Sequence, residues 1–185
     1  YTIREDELVR SNDGQTYESF IELIKIKDKE GTAACIFYKG DGECSIYENR
    51  PAQCRAYQCW TNDPHSENIL DGLEKNRLTR KDMFGSVDVL MEVIDKHEEK
   101  TSYRKLAGAF EKLAEGDGDA VEEIMDMLQY DTYIRPFLEE KFNVPPTAMD
   151  LMMGRPLVDT INEFGFKVEK NGDEYILLPI NDHTD

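Results

Sequence analysis

The longest periodic run of apolar positions in the chain lies between residues 79 and 97. Its members recur at alternating steps of four and three residues, which is the spacing of one apolar stripe on an amphipathic helix. They are Met83, Val87, Leu90, Ile94 and His97. Thr79 precedes the run and can cap the helix through its hydroxyl oxygen. The pattern predicts one helix that begins after Thr79 and carries the whole stripe.

A second apolar stripe follows directly. Ser102 can cap this next helix, because a serine hydroxyl accepts a hydrogen bond from the first helical turn. The stripe consists of Tyr103, Leu106, Phe110 and Leu113. Gly116 and Gly118 interrupt the pattern before a third helix, whose apolar positions run from Val121 to Leu128. Two further helices are therefore predicted in succession.

Proline positions divide the rest of the helical region. Residues 134–142 continue as a fourth helical segment, which we expect to bend or break at Pro136, because proline removes a backbone hydrogen bond. The two prolines at residues 145–146 end this segment. Two short helices are predicted beyond them, around residues 149–153 and 156–164.

Short strands are predicted at both ends of the chain. The Asn-Gly pair at residues 171–172 lies between two apolar runs, and this dipeptide is a strong hairpin signal. Near the other end, residues 3–9 alternate weakly, residues 12–14 (Asn-Asp-Gly) favour a turn, and apolar character resumes over residues 21–26. This predicts a small β pair or a strand with a short helix. A further short helix is predicted over residues 66–78.

These elements define an α+β fold class. We expect a small cysteine-rich lobe, made of a β-hairpin and a short helix, over residues 1–64. A mainly helical region with a C-terminal β-hairpin follows over residues 65–185, and the two parts can also form one continuous domain. With 39% apolar residues the helices can bury a core, whereas the cysteine-rich lobe has few apolar residues of its own.

The candidate chemistry lies in four cysteines. Cys35, Cys44, Cys54 and Cys59 fall within a window of 25 residues, and the other 160 positions contain none. A turn-rich stretch between short β-type runs separates the first two, so that a hairpin would bring them together. Such clustering favours one shared site over four separate core thiols.

The last two cysteines have a less favourable spacing. Pro51 suits the first position of a helix, which would place Cys54 in the first helical turn. On one continuous helix, Cys54 and Cys59 would point roughly 140° apart. For both to reach one metal, the helix must stop or bend near residues 57–58.

Three kinds of chemistry are open to the cluster: two disulfides, a thiolate metal site or an iron–sulfur site. The chain has no apolar run long enough to span a bilayer and no signal-peptide pattern at its start. We therefore expect a cytoplasmic protein, in which a reducing environment favours metal over disulfide. Four thiolates suit a tetrahedral zinc ion, an iron ion, or a [2Fe–2S] or [4Fe–4S] cluster.

The segment from Cys44 to Trp60, CSIYENRPAQCRAYQCW, resembles the YkgJ-like cysteine cluster family of zinc- or iron-chelating proteins with a CxxCxxCC motif. The resemblance rests on the order Cys-x-Ile-Tyr, Arg-Pro, Cys-Arg and an aromatic, here Cys44, Ile46, Tyr47, Arg50, Pro51, Cys54, Arg55 and Tyr57. Cys59-Trp60 and residues 77–82 resemble one bacterial subgroup in particular. The resemblance implies a metal-binding function through the four cysteines.

The namesake CxxCxxCC segment is not found in the chain. In the resembled family it precedes this region, so we expect it upstream of Tyr1, and further cysteines there would complete the ligand set. The alternative to a zinc or iron site is an iron–sulfur protein of redox or electron-transfer function. The resemblance assigns neither a reaction nor a catalytic residue.

Charge restricts the partners. Asp and Glu outnumber Lys and Arg by 39 to 22, which gives a formal net charge of −17. Such a field repels phosphate backbones and anionic lipid, so the expected partners are a metal ion and a protein, and neither nucleic acid nor membrane. There is no Gly-rich phosphate loop, nucleophile elbow or HExxH motif. The carboxylate pairs Glu98-Glu99 and Glu122-Glu123 are predicted to lie on exposed helix faces.

Among the three histidines, His97 lies on an apolar stripe. We expect it to be buried with a hydrogen-bond partner, and the alternative is a metal ligand or a group supporting one. His65 is a weaker ligand candidate because it follows the cysteine window, and His183 carries no prediction.

Two arginines lie beside the cysteines in the sequence. Arg50 and Arg55 can lower the pKa of nearby thiols, or pair with backbone carbonyls. The aromatic side chains of Tyr47, Tyr57 and Trp60 are expected to form the small core of the lobe.

Overall fold

The computed structural model describes residues 1–10, 15–29, 32, 34–56, 77–171 and 174–180. The strands, in chain order, are β1 (Thr2–Ile3), β2 (Glu7–Arg10), β3 (Thr16–Ser19), β4 (Leu23–Ile24), β5 (Tyr38–Gly40), β6 (Glu43–Cys44), β7 (Phe166–Asn171) and β8 (Glu174–Pro179). The helices are α1 (Ala52–Ala56), α2 (Arg80–Phe84), α3 (Asp88–Thr101), α4 (Tyr103–Ala114), α5 (Ala120–Phe142), α6 (Pro146–Met152) and α7 (Leu157–Thr160), with 3₁₀ turns at Tyr47–Asn49 and Ile161–Phe164. The architecture is α+β with a C-terminal hairpin, as predicted.

The strands form four separate antiparallel pairs. Near the N-terminus, β2 pairs with β3 and β1 pairs with β4, so the predicted β pair is present. The pair β5–β6 carries Cys44, and β7 pairs with β8 along six residues of each strand. The predicted short helix over residues 66–78 and the predicted domain boundary at residue 64 lie outside the described residues.

Both predicted helix caps are present. The Thr79 hydroxyl accepts a hydrogen bond from the Asp82 amide at 3.2 Å, and the Asp82 carboxylate accepts one from the Thr79 amide at 2.8 Å. This reciprocal pair is a capping box. The Ser102 hydroxyl accepts from the Lys105 amide at 3.4 Å, which caps α4.

The stripe between residues 83 and 97 does not lie on one helix. The chain leaves the helical path after α2 and resumes it in α3, so the prediction of a single helix was wrong. The break lies at Val87, whose backbone angles of φ −122° and ψ 85° are not helical and whose amide bonds to the carbonyl of Phe84 only three residues earlier. Met83 and Val87 consequently remain exposed, whereas Ile94 and His97 are buried.

The third and fourth predicted helical segments form one helix. Helix α5 runs for 23 residues with Pro136 inside it, or about 35 Å at 1.5 Å per residue. The helix therefore does not end at Pro136 but continues to Phe142, where Asn143 adopts a left-handed conformation at the C-cap. None of the described helices is long and apolar enough to cross a membrane.

Among the described residues, two clusters of buried apolar side chains lie between the helices and the C-terminal hairpin. One cluster joins α4, α5 and α7 and includes Leu106, Phe110, Ile124, Leu128 and Leu157. A second cluster joins α3, the end of α5 and α6 and includes Ile94, Leu138, Met149, Met152 and Met153. By contrast, none of the described side chains between residues 34 and 56 is buried.

Candidate metal centre

A tight hairpin positions the first two cysteines. Cys35 lies just before β5 and forms an isolated bridge with Asp28, while Cys44 ends β6 and faces Tyr38 across the pair. The turn contains Asp41 with φ of 51°, flanked by glycines with φ of 109° and 80°. Glycine adopts such angles without strain, and aspartate tolerates the left-handed region better than most residues. The predicted hairpin between Cys35 and Cys44 is therefore present, with Cys44 on its second strand and Cys35 just before its first.

The third cysteine enters from a short helix. Cys54 is the third residue of α1, and the amide of Arg55 bonds to the carbonyl of Pro51 at 3.1 Å as the first helical hydrogen bond. This arrangement matches the predicted start of the helix at Pro51. Cys59 and the predicted bend near residues 57–58 lie outside the described residues.

The other two described cysteines influence the pKa of the Cys54 thiol. Burial raises this pKa, and the negative charges that Cys35 and Cys44 can carry raise it further, while Arg50 opposes the rise. All three thiols are free and half-buried. Cys35 and Cys44 therefore act electrostatically on Cys54.

The three thiols do not yet form a closed coordination shell. No three His, Cys, Asp or Glu side chains within the described part of the chain stand in an arrangement that could hold a metal ion. A single site formed by all four cysteines consequently remains a prediction. The chemistry of the donors nevertheless fits zinc and iron, since both are bound by cysteine thiolates.

A backbone donor is directed at one of the sulfurs. The amide of Phe37 donates a hydrogen bond to Cys35 Sγ at 3.4 Å. This contact fixes the position of the Cys35 sulfur relative to its own backbone loop.

Arg50 combines the two roles that were considered for it. Its Nε donates to the Tyr47 carbonyl at 2.8 Å, and its guanidinium lies 3.6 Å from the centre of the Tyr47 ring. Its charge also lowers the pKa of Cys54. Tyr47 itself is 54% exposed, so the prediction that it belongs to a small core was wrong. Its ring instead covers the arginine.

The remaining predicted residues of this segment contribute little to the described centre. Arg55 is exposed. Tyr57, Trp60 and His65 lie outside the described residues, as does His183.

His97 has the predicted buried environment. Its Nε2 lies 2.8 Å from Asp131 Oδ1, and its Nδ1 is buried without a hydrogen-bond partner among the described residues. Burial lowers the pKa of His97, and the hydrogen bond that His97 makes to Asp131 raises it to a smaller extent. The neutral imidazole therefore donates from Nε2 to the carboxylate. None of its described polar contacts is a cysteine.

Three different residues donate hydrogen bonds to the carboxylate of Asp131. Besides His97, it accepts hydrogen bonds from the Arg135 guanidinium at 2.9 Å and from the Leu157 amide at 2.9 Å. Burial raises the pKa of Asp131, but the hydrogen bond to His97 and the charge of Arg135 outweigh it and hold the pKa below its usual value. A charged carboxylate therefore ties α3, α5 and the start of α7 together.

The largest polar feature was not predicted. Glu98 accepts hydrogen bonds from Arg4 Nε at 2.8 Å and from Arg80 Nη2 at 2.7 Å, and Arg80 Nε also donates to Glu22 at 2.8 Å. We call these four residues the Glu98 ion-pair network. Arg4 and Arg80 are buried. The prediction that Glu98 lies on an exposed helix face was therefore wrong, although Glu99, Glu122 and Glu123 are exposed as expected.

The reason for this error is the distance along the chain. Arg4 lies 94 residues before Glu98, so no local pattern pairs the two. One signal in the sequence could have indicated that Glu98 is not fully exposed. Glu98 directly follows His97, the last residue of the predicted apolar stripe. A carboxylate next to the apolar stripe can reach the interface with a neighbouring segment.

Comparison with protein families assigns a class to the cysteine-bearing part. Residues 2–84 match the family described as "CxxCxxCC: Putative zinc- or iron-chelating domain". This part of the chain is therefore similar to that family, in agreement with the resemblance seen in residues 44–60. The matched region includes all four cysteines, and also Arg4, Glu22 and Arg80 of the Glu98 network. No curated protein and no solved structure matches the chain.

Proposed function

We propose that this protein binds one zinc or iron ion through Cys35, Cys44, Cys54 and Cys59. The observation that carries the proposal is the placement of three free thiols at the β5–β6 hairpin and on α1, where Cys35 and Cys44 act electrostatically on Cys54. All three lie inside the region that matches the chelating family. Cys59 follows the described end of α1 by three residues and supplies the fourth thiol.

Electrostatics supports a bound cation. The neighbouring thiols and burial both disfavour the thiolate form of Cys54. A divalent ion reverses this balance, because it attracts thiolates and is bound only by the deprotonated form. Arg50 supplies one further positive charge nearby, although its guanidinium is engaged with Tyr47.

The lack of a core supports a structural contribution of the metal. Described side chains between residues 34 and 56 are half-buried or exposed, and the β5–β6 pair is only two to three residues long on each strand. An isolated short hairpin is marginally stable in water. Metal ligation joins such elements and contributes folding free energy directly.

The experiment is elemental analysis of the protein purified without oxygen, combined with absorption spectroscopy. We expect about one zinc or iron ion per chain, and Cys44→Ser or Cys54→Ser should lower the bound metal severalfold. Ser45→Ala is the matched control, since Ser45 is exposed beside Cys44. Unchanged metal content in a variant lacking all four cysteines would contradict the proposal.

The same preparation distinguishes an iron–sulfur protein with a redox function. The amide donor at Cys35 Sγ suits this alternative as well, because hydrogen bonds to the sulfurs tune cluster potentials. A brown protein with visible absorption and equal amounts of iron and sulfide would identify a cluster. A colourless protein with zinc would exclude the redox function.

A further inference from the structure

An open groove lies along α5 and beside β8. Its volume is about 860 Å³. Three tyrosines line it, together with an aspartate, a threonine and a proline: Tyr130, Tyr133, Tyr175, Asp126, Thr132 and Pro136. The groove belongs to neither the cysteine segment nor the Glu98 network.

The aromatic walls follow from helical spacing. Asp126, Tyr130 and Tyr133 are separated by four and then three residues, so they lie on one face of α5. Tyr175 in β8 lines the groove from the hairpin. Tyr133 is 74% exposed, which is unusual for so large an aromatic side chain beside a groove. Its ring faces are free for stacking.

Pro136 adds a backbone acceptor to the same groove. Proline has no N–H, so it cannot donate to the carbonyl of Thr132 four residues earlier. Thr132 and Pro136 both line the groove. An acceptor that a regular helix would have satisfied is therefore left for another donor on this side of α5.

The polar and aromatic groups that line the groove attract a cation. The groove contains tyrosine faces, a freed carbonyl and the exposed Asp126 carboxylate, which makes no hydrogen bond or ion pair with another described residue. Its lining includes no Lys, Arg or His among the described residues, and the whole chain carries a net charge of −17. A guanidinium fits best, because it stacks on aromatic rings and donates in its plane to carboxylate and carbonyl oxygens.

We propose that this groove binds an arginine side chain presented by a partner protein. The guanidinium stacks on the tyrosines and donates to Asp126 and to the freed carbonyl. An ammonium group would satisfy the charge but offers no flat face for stacking, so lysine should bind more weakly.

The test is a nuclear magnetic resonance titration of the metal-loaded full chain with acetyl-Gly-Arg-Gly-amide. The citrulline and lysine analogues of the same peptide serve as matched ligands. We expect saturable shifts confined to the amides around residues 126–136 and 175. The dissociation constant should rise with lysine, and no saturable binding should occur with citrulline.

Variants of the exposed groove residues complete the test. Asp126→Asn and Tyr133→Ala should each raise the dissociation constant about two- to fivefold, as expected for an exposed cation–π contact or surface charge pair. Glu139→Gln and Phe137→Ala are matched controls on the same helix outside the groove, and should leave it unchanged. The proposal is overturned by equal binding of citrulline or lysine, by shifts spread over the acidic surface, or by insensitivity to both groove variants.

Discussion

The cysteine segment, residues 35–56, and the Glu98 ion-pair network differ in how charge is accommodated. In the cysteine segment, potential negative charges lie close together with Arg50 alone among the described residues opposing them at Cys54. In the network, two buried guanidinium groups share one carboxylate and a second carboxylate completes the pairing. The charges of the network are paired within the protein, although Arg4 Nη1 is buried without a hydrogen-bond partner among the described residues. In the proposed function, by contrast, the cysteine segment takes its cation from outside. Of the two regions, the cysteine segment therefore depends on the metal ions in the solution.

Metal removal should produce the largest difference between these regions. Stripping the metal-loaded protein with a chelator should abolish amide protection in the cysteine segment, because no buried side chain there replaces the ion. The free energy of metal binding, which is lost on chelation, can reach about 10 kcal/mol or more for structural zinc. Hydrogen exchange should show fast exchange at Ser45, whose amide bonds to Phe37, and unchanged protection at Ile94 in α3. Loss of protection at both sites would mean that the metal organises the whole domain.

Removal of the central carboxylate should produce the next largest effect. Glu98→Ala leaves the fully buried Arg4 with only the carbonyl and hydroxyl of Thr101 as partners of its guanidinium. Breaking a buried ion pair from one side costs about 3–5 kcal/mol, which urea unfolding would measure. Glu99→Ala, at the exposed neighbouring position, is the control and should change stability by no more than about 0.5 kcal/mol. An equal loss of unfolding free energy in Glu98→Ala and Glu99→Ala would contradict the contribution of the network to stability.

Acid should weaken the helical region through His97. Its folded pKa lies below the ordinary value of 6.5, because burial outweighs the attraction of Asp131 and Glu98, and Arg4 adds to the lowering. The unfolded state therefore binds the proton more readily, so stability is complete above about pH 6.5 and falls as the pH drops. The expected slope is at most about 1.4 kcal/mol per pH unit.

Glu98 and Asp131, whose pKa values are also lowered in the folded state, extend this loss to lower pH. Urea midpoints at pH 7, 6 and 5 would measure the contribution of His97. In His97→Gln the component between pH 6.5 and 5 should disappear, and an unchanged slope would assign it to other groups.

The smallest effect should come from a helix cap. Thr79→Ala removes the hydroxyl that accepts from the Asp82 amide, and loss of such a cap costs about 1 kcal/mol. Urea unfolding and the exchange rate of the Met83 amide in α2 would detect it. Thr147→Ala is a suitable control, because Thr147 is exposed in α6 and its hydroxyl makes no hydrogen bond to another described residue, and a larger loss there would show that the cap contributes little.

Local signals predicted much of this fold. The caps at Thr79 and Ser102, the hairpin between Cys35 and Cys44 and the start of α1 at Pro51 each depend on residues close in sequence. Such interactions require only a few neighbours, so they can be identified from the sequence alone.

Effects set by competition or by distant partners could not be identified in this way. Helix α2 ends despite an uninterrupted apolar stripe, because the backbone leaves helical angles at Val87 before α3 begins. Pro136 does not end α5, since one missing hydrogen bond is outweighed by packing of Leu128 and Leu138 on either side. Glu98 pairs with Arg4, which lies 94 positions away in the sequence, so no local pattern indicates its part in the ion-pair network.

That separation also bears on how long the folded molecule persists. The contact between Arg80 and Glu98 spans 18 residues, whereas the contact between Arg4 and Glu98 closes a loop of 94. Long loops close late because their entropy must be lost before the contact forms. We therefore expect Arg4 to be unpaired in the folding transition state. Its pairing should then slow unfolding far more than it speeds folding, so that it extends the lifetime of the native state against proteases.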